Sequence, residues 1–257
     1  VCSSDLLRGL AAVVTGASKG IGEAVAHELA QEGCHLHLAA RSKDHLEARA
    51  DNLRSAHKVT VTAHACDLSR SVDVLALADA VGTPDILVNN AGAIPSGNIQ
   101  DIDEARWRAA WDLKVFGYVG LTRALLPKMY ARGKGAIVCV IGSAGLNPNP
   151  NYLYGCMGNA ALNMFVRALA METFNKGVRV CAVNPGATMS DRWVYLAREN
   201  ARRKLGDPER YMELATDYPG KRPATVQEVA AAVAFFASER SSYTSGSQLT
   251  IDAGRGH

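Results

Sequence analysis

The sequence lacks any apolar run of the ~20 residues a bilayer-spanning helix needs, so it offers no transmembrane segment. It has no C-x-x-C pair and no Cys/His spacing of the kind that holds zinc; its 6 cysteines (2, 34, 66, 139, 156, 181) are scattered. They read as small buried hydrophobes in a reducing compartment, which points to the cytoplasm. A net charge of +3, not gathered into a basic stripe, argues against nucleic acid as a partner. No low-complexity linker and no internal repeat divides the chain. Aromatic residues make up only 6%, but apolar content of 48% is ample for a large core in a chain of 257 residues. Residues 1–6 are too short and polar for a signal peptide and match one reading frame of a sequencing-adapter oligonucleotide; they read as a non-native leader, with one domain over 7–257.

What is present is organised around Thr15-Gly16-Ala17-Ser18-Lys19-Gly20-Ile21-Gly22. An apolar run, Leu10 to Val14, precedes it and an amphipathic run, Ile21 to Leu29, follows. Strand, glycine turn and helix in that order hold a dinucleotide phosphate: Gly16 for the tight turn, Gly20 for close approach of backbone, Gly22 for helix–strand packing, and free N–H groups at the helix start facing the anion.

Apolar strands are expected near 10–15, 35–40, 59–65, 85–89, 135–142, 177–183 and 247–251, and helices near 20–32, 43–56, 69–81, 103–131, 152–175, 190–204 and 225–238. This alternation implies an α/β, Rossmann-type doubly wound parallel sheet of seven strands with helices on both faces. Ligands in such sheets bind at the carboxyl ends of the strands, where the glycine turn, Arg41, Asp67, Asn90, Ser143 and Pro185 all fall.

Several blocks in order resemble the short-chain dehydrogenase/reductase family in its single-domain branch: the G-x-x-x-G-x-G turn, Asn89-Asn90-Ala91-Gly92 after strand four, Ser143, Asn184-Pro185-Gly186 after strand six, and Ser245-Gly246 through Gly254. The resemblance runs from about Leu7 to Gly254. It implies an enzyme that moves a hydride between a nicotinamide cofactor and a small alcohol or ketone. It also implies cofactor contacts from Gly16, Ser18, Lys19, Gly20, Ile21, Gly22, Asp67, Leu68, Asn90, Ala91, Gly92, Pro185, Gly186, Thr188 and Ser190, and a substrate lid over 187–221. By the same analogy the long helices 103–131 and 152–175 build a homodimer or homotetramer.

Strand two ends Ala39-Ala40-Arg41-Ser42 with no carboxylate for a ribose 2′-hydroxyl. Arg41 with Lys19 suits a 2′-phosphate, so NADP(H) is preferred over NAD(H).

The catalytic motif departs from the family, which uses Ser, Tyr, a Lys four residues after the Tyr, and an Asn on helix four. Tyr152 is followed at that distance by Cys156 and Tyr154 by Gly158. Aligning the helix on Ala160-Ala161-Leu162 puts Gly155 in the tyrosine slot and Asn159 in the lysine slot, while Lys114 occupies the asparagine slot on helix four. Lysine and asparagine look exchanged. A phenol of pKa about 10 needs a neighbouring cation, whichever helix delivers it, so Lys114 is expected to supply the charge and Asn159 the hydrogen bonds. Tyr152 and Tyr154 both stand as proton donors, with Tyr152 favoured because three helical residues place it near the face of Gly155 and Asn159. The alternative function is a dinucleotide-binding sensor that turns nothing over, favoured by the missing Y-x-x-x-K. His35 and His37, two apart on a strand, read as structural, and Trp107 and Trp111 as packing residues. The lid cations Arg192, Arg198, Arg202, Arg203 and Lys204 read first as a solvated helix face and second as a site for an acidic group on the substrate.

Overall fold

In the computed structural model, which describes residues 6–255, seven parallel strands form one sheet in the order β3-β2-β1-β4-β5-β6-β7. They are β1 (Ala11–Thr15), β2 (His35–Ala40), β3 (Val61–Ala65), β4 (Ile86–Asn89), β5 (Gly135–Val140), β6 (Val178–Pro185) and β7 (Gln248–Ile251). Residues 1–5 of the expected leader lie outside the described residues.

The central strands β4, β5 and β6 are buried at every position, as a parallel sheet covered on both faces requires. Helices α1 (Gly20–Gln31), α2 (Lys43–His57) and α8 (Val226–Ala237) cover one face through Val25, Leu29, Leu46, Val229, Val233 and Phe236. Helices α3 (Ser71–Ala80), α5 (Gly117–Arg132) and α6 (Leu153–Thr173) cover the other through Leu77, Leu121, Leu125, Leu162 and Val166. The strand order reverses between β1 and β4, which opens the crevice where such sheets bind ligands.

The glycine turn sits at that crevice. Gly16 and Gly20 have φ of +67° and +62°, the left-handed region that favours glycine. Gly22 is fixed by space instead: a Cβ there would lie 2.3 Å from Gly16 O and 2.4 Å from Asn90 Nδ2. Gly22→Ala is therefore expected to cost about 1–3 kcal/mol of stability and to open the turn. Chemical denaturation with and without a dinucleotide measures both, and a variant of unchanged stability and affinity contradicts this packing.

Three elements differ from expectation. The helix expected over 103–131 is α4 (Glu104–Trp111), a π-helical turn over Asp112–Phe116 and then α5; the extra residue per turn rotates Lys114 to face the interior. Helix α6 begins at Leu153, one residue after Tyr152, because Tyr152, with φ of −143° and ψ of 37°, is not helical and bridges to Gly97. The lid carries, after α7 (Asp191–Leu205), two 3₁₀ segments over Pro208–Ala215 and Pro219–Lys221 that periodicity did not reveal.

The two strand histidines find separate partners. His35 Nδ1 accepts from Thr60 N at 3.1 Å, and His37 Nδ1 lies 3.0 Å from His64 Nε2.

Candidate active site

The phosphate-binding end is built from β1 and β4. Thr15 Oγ1 accepts from Asn90 N at 2.9 Å and Ala91 N at 3.0 Å, while Asn90 Nδ2 donates to Thr15 O at 3.0 Å. These bonds lock the glycine turn onto the N-N-A-G segment. Thr15 is a hub that sequence reasoning passed over, since a buried threonine ending a strand carries no signature of its own. Helix α1 starts after Lys19 with no side chain capping its first turn, which leaves backbone donors free for an anion. Ser18 and Ile21 are half-buried in the same turn. Gly20 approaches the lid, where its Cβ would stand 3.7 Å from Ser190 Cβ.

Arg41 and Lys19 are exposed beside this turn, and among the described residues neither side chain has a hydrogen-bond or ion-pair partner. Asp67 Oδ1 accepts from Ser69 N at 3.0 Å and from Ser69 Oγ at 2.8 Å. Burial opposes its ionisation, but those bonds and the charges of Arg41 and Arg70 hold its carboxyl below the usual range. Leu68 is buried behind it, against Gly117. At the far side, Gly186 N donates to Ile251 O at 3.0 Å after Pro185, and Thr188 Oγ1 donates to Gly186 O at 3.2 Å. Ser190 caps α7, its Oγ accepting from Trp193 N at 3.4 Å.

The chemical end lies where β5, the π-helical turn and the start of α6 converge. Lys114 is buried, and its Nζ donates to Ile141 O at 2.5 Å and to Asn159 Oδ1 at 2.9 Å. Its aliphatic stem passes directly over Gly92, where a Cβ would lie 2.8 Å from Lys114 Cδ. The last glycine of N-N-A-G is thus the floor under this lysine. Asn159 is also buried, with Nδ2 3.5 Å from Gly142 O. The residues of the two exchanged slots therefore touch, through a charge-assisted hydrogen bond. Burial, and secondarily the charge of Arg192, push the Lys114 ammonium down to about 8.

The tyrosines separate clearly. Tyr152 reaches the Gly155 position by a route other than the expected helical rotation. It stands before the helix, and its ring folds back over Gly155, where a Cβ would lie 2.1 Å from Tyr152 Cε1 and Cζ. The phenol at 152 fills the volume that a side chain at 155 would occupy. Among the described residues its hydroxyl has no hydrogen-bond partner. Burial raises its pKa above the ordinary 10, opposed by the charge of Arg192. Tyr154 turns away: its hydroxyl donates to Ile99 O at 3.3 Å and its ring stacks on Trp107, centroids 5.5 Å apart. Trp111 Nε1 braces the same segment by donating to Tyr154 O at 3.0 Å.

Ser143 begins a 3₁₀ turn after β5, half-buried, and its hydroxyl has no hydrogen-bond partner among the described residues. Behind it Asn184 Oδ1 accepts from Gly142 N at 3.3 Å, and Asn184 Nδ2 donates to Asn163 Oδ1 at 3.0 Å. This amide relay, which ties β5, β6 and α6 together, was also missed.

The lid cations resolve into two kinds. Arg198 pairs with Glu209 and Arg202 with Glu199, while Arg203 binds Asn200 on the helix surface. Arg192, in the first turn of α7, reaches inward instead and donates to Ile94 O. Trp193, Tyr211 and Tyr218 line a cavity of about 240 Å³ within the lid segment itself, between α7 and the 3₁₀ turns that follow it.

Comparison with known proteins agrees with this arrangement. The family model for short chain dehydrogenases matches residues 10–201. The oxidoreductase UcpA of Salmonella typhimurium is 36% identical over 96% of this chain and 95% of its own length. Glucose 1-dehydrogenase of Gluconobacter oxydans is 34% identical over 97% and 93%. L-sorbose reductase of Gluconobacter frateurii, solved with NADPH and L-sorbose, superposes with a TM-score of 0.92 at 36% identity, covering 98% of both chains. The sequence motifs, the seven-stranded sheet and these relatives lead to one conclusion: the chain belongs to the short-chain dehydrogenase/reductase family of oxidoreductases.

Proposed function

We propose that the protein is an NADP(H)-dependent oxidoreductase that interconverts a secondary alcohol and a ketone, with a ketose or polyol as substrate class. The observation that carries this reading is the Tyr152 phenol lying over Gly155, one helical turn before Asn159 of the buried Lys114–Asn159 pair, with its hydroxyl unpartnered among the described residues. A substrate that is a sugar or polyol follows from the names of the relatives, a glucose dehydrogenase and a sorbose reductase.

The residues fit the cofactor: an uncapped helix start behind positive-φ glycines receives a pyrophosphate, and Arg41 with Lys19 offers cations to a 2′-phosphate where a carboxylate would repel it. The bound cofactor supplies or accepts the hydride. Ser143 donates a hydrogen bond to the substrate oxygen, and Tyr152 gives that oxygen its proton in reduction and takes it back in oxidation. Lys114, with a pKa of about 8, lends positive potential to the site and can exchange a proton near neutral pH, while Asn159 holds its ammonium in place. Thr188 or Ser190 would hold the carboxamide end of the cofactor.

Met157, Met164 and Met171 recur every seven residues along α6 and are 49%, 59% and 85% exposed, an apolar stripe suited to a homodimer or homotetramer.

Turnover is tested by following loss of NADPH absorbance with a panel of ketoses and simple ketones. Arg41→Asp is expected to raise the Michaelis constant for NADPH by about 10–100-fold, on the order of 1–3 kcal/mol for a lost charge-assisted contact, and to leave that for NADH within a few-fold. An unchanged NADPH constant overturns the 2′-phosphate assignment, and no turnover of any panel member favours the sensor.

A further inference from the structure

Among the lid cations Arg192 alone is turned towards the chemistry. Ser190 caps α7, so Arg192 leaves from the first helical turn, directly after the P-G segment that ends β6. Its guanidinium donates to Ile94 O, in the loop that follows N-N-A-G. Three residues on, that loop pairs with the tyrosine segment: Gly97 bridges to Tyr152, and Gly97 N donates to Asn151 O at 2.7 Å. Ile94 itself packs against Gly158 on the first turns of α6. One short loop thus ties Arg192 to the backbone that carries the phenol.

The groups that bear on Tyr152 are Arg192 from α7, the Cys156 thiol from α6 and the Tyr118 hydroxyl from α5; of these three Arg192 is the cation, and none is a carboxylate. Lys114, on the π-helical turn, feels the same guanidinium. Among the described residues Arg192 has no carboxylate partner. Its one hydrogen bond, to a carbonyl, leaves most of its donors unused. Lys114 differs, with two of its three donors committed to Ile141 O and Asn159 Oδ1. A loosely held guanidinium, tied through this loop to the segment that carries a phenol with no hydrogen-bond partner among the described residues, adds a second cation to the one that Lys114 brings.

We infer that Arg192, a positioning residue on the lid helix, sets the proton affinity of Tyr152, the part that the family assigns to a lysine one turn along α6. The field of Arg192 opposes the effect of burial on Tyr152, in the direction this role requires. It also bears on Lys114, so the two cations share the site and neither neutralises the other. The lid then does more than enclose substrate, since it carries a charge the proton transfer uses.

This inference rests on Tyr152 being the proton donor, but its test does not need turnover. The Tyr152 phenol is titrated by ultraviolet difference, subtracting Tyr152→Phe, in the full-length protein with saturating NADP(H). Arg192→Gln is expected to move that titration up by about one pH unit, and Arg192→Lys, which keeps the charge and a donor for Ile94 O, to restore most of it. Where a ketone is turned over, the alkaline limb of kcat/KM moves with the titration. A titration that stays put in Arg192→Gln overturns the proposal, as does a shift that Arg192→Lys fails to reverse. A tenfold rise in substrate KM with no movement of the titration also overturns it and assigns Arg192 to substrate binding. Absence of turnover alongside a shifted titration would sink the enzyme reading and leave this one standing.

Discussion

Tyr152→Phe is expected to lower kcat by about 10²–10⁴-fold, the range for loss of a positioned general acid, while leaving the dissociation constant for NADPH unchanged. Tyr154→Phe is expected to keep turnover within a few-fold and to lose about 1 kcal/mol of stability, since it removes only the hydrogen bond to Ile99 O. The contrast follows from where the hydroxyls go: that of Tyr154 is bonded to Ile99 O, and that of Tyr152 has no partner among the described residues. Burial holds the Tyr152 phenol protonated beyond its ordinary pKa of 10, so near neutral pH it is an acid ready for carbonyl reduction. Reduction should therefore be flat through neutrality and fall in the alkaline range, and oxidation, which needs the phenolate, should climb over that same range. Steady-state kinetics in both directions on the two variants measure all of this. Greater loss in Tyr154→Phe would reverse the assignment.

That result turns on a position that sequence spacing indicates only in part. The glycine turn and the placement of motif residues at the carboxyl edge are legible, because each depends on a residue type at a fixed spacing along one element; the sequence also singled out Lys114 and Asn159, which are in contact. Gly22 is an example: a Cβ at that position would lie 2.3 Å from a carbonyl oxygen. Tyr152 was favoured on helical rotation, yet it stands outside the helix and arrives by folding back over Gly155. Spacing fixed which residues were near; it could not say that a non-helical residue bridged to Gly97 would start the segment, because that pairing joins positions far apart in the chain. Thr15 and the Asn184–Asn163 relay were missed for the same reason, and Arg192, named among the lid cations, was not told apart from them. Nothing in the local pattern of α7 separates Arg192 from Arg198 or Arg202; only the tertiary position of Ile94 O does.

The Lys114–Asn159 contact makes the second prediction, a double-mutant cycle. Lys114→Asn alone leaves two amides and no cation and is expected to lose turnover by about 10²-fold or more. Asn159→Lys alone sets two ammonium groups at contact distance in a buried place, where at most one can keep its charge, and is expected to be the least stable of the set. The double variant has one cation and one amide again, in the slots the rest of the family uses. It is expected to recover stability over Asn159→Lys, with a coupling of about 1–3 kcal/mol for groups in one hydrogen-bonded pair, and to regain turnover to within about tenfold of the wild type. Stability against pH distinguishes the lysine's contribution from general damage. The unfolded chain keeps this proton up to a pKa of 10.5, the native protein only up to about 8. Below pH 8 the buried charge costs about 3 kcal/mol relative to an unperturbed lysine. Between 8 and 10.5 the unfolded state binds more protons, so wild-type stability gains from this residue as pH rises. Lys114→Asn should lose that rise and little else of the pH dependence. Additive effects in the cycle, or a rise that survives Lys114→Asn, would mean that the two residues are neighbours without acting together, and that the exchange read from the sequence has no chemical meaning.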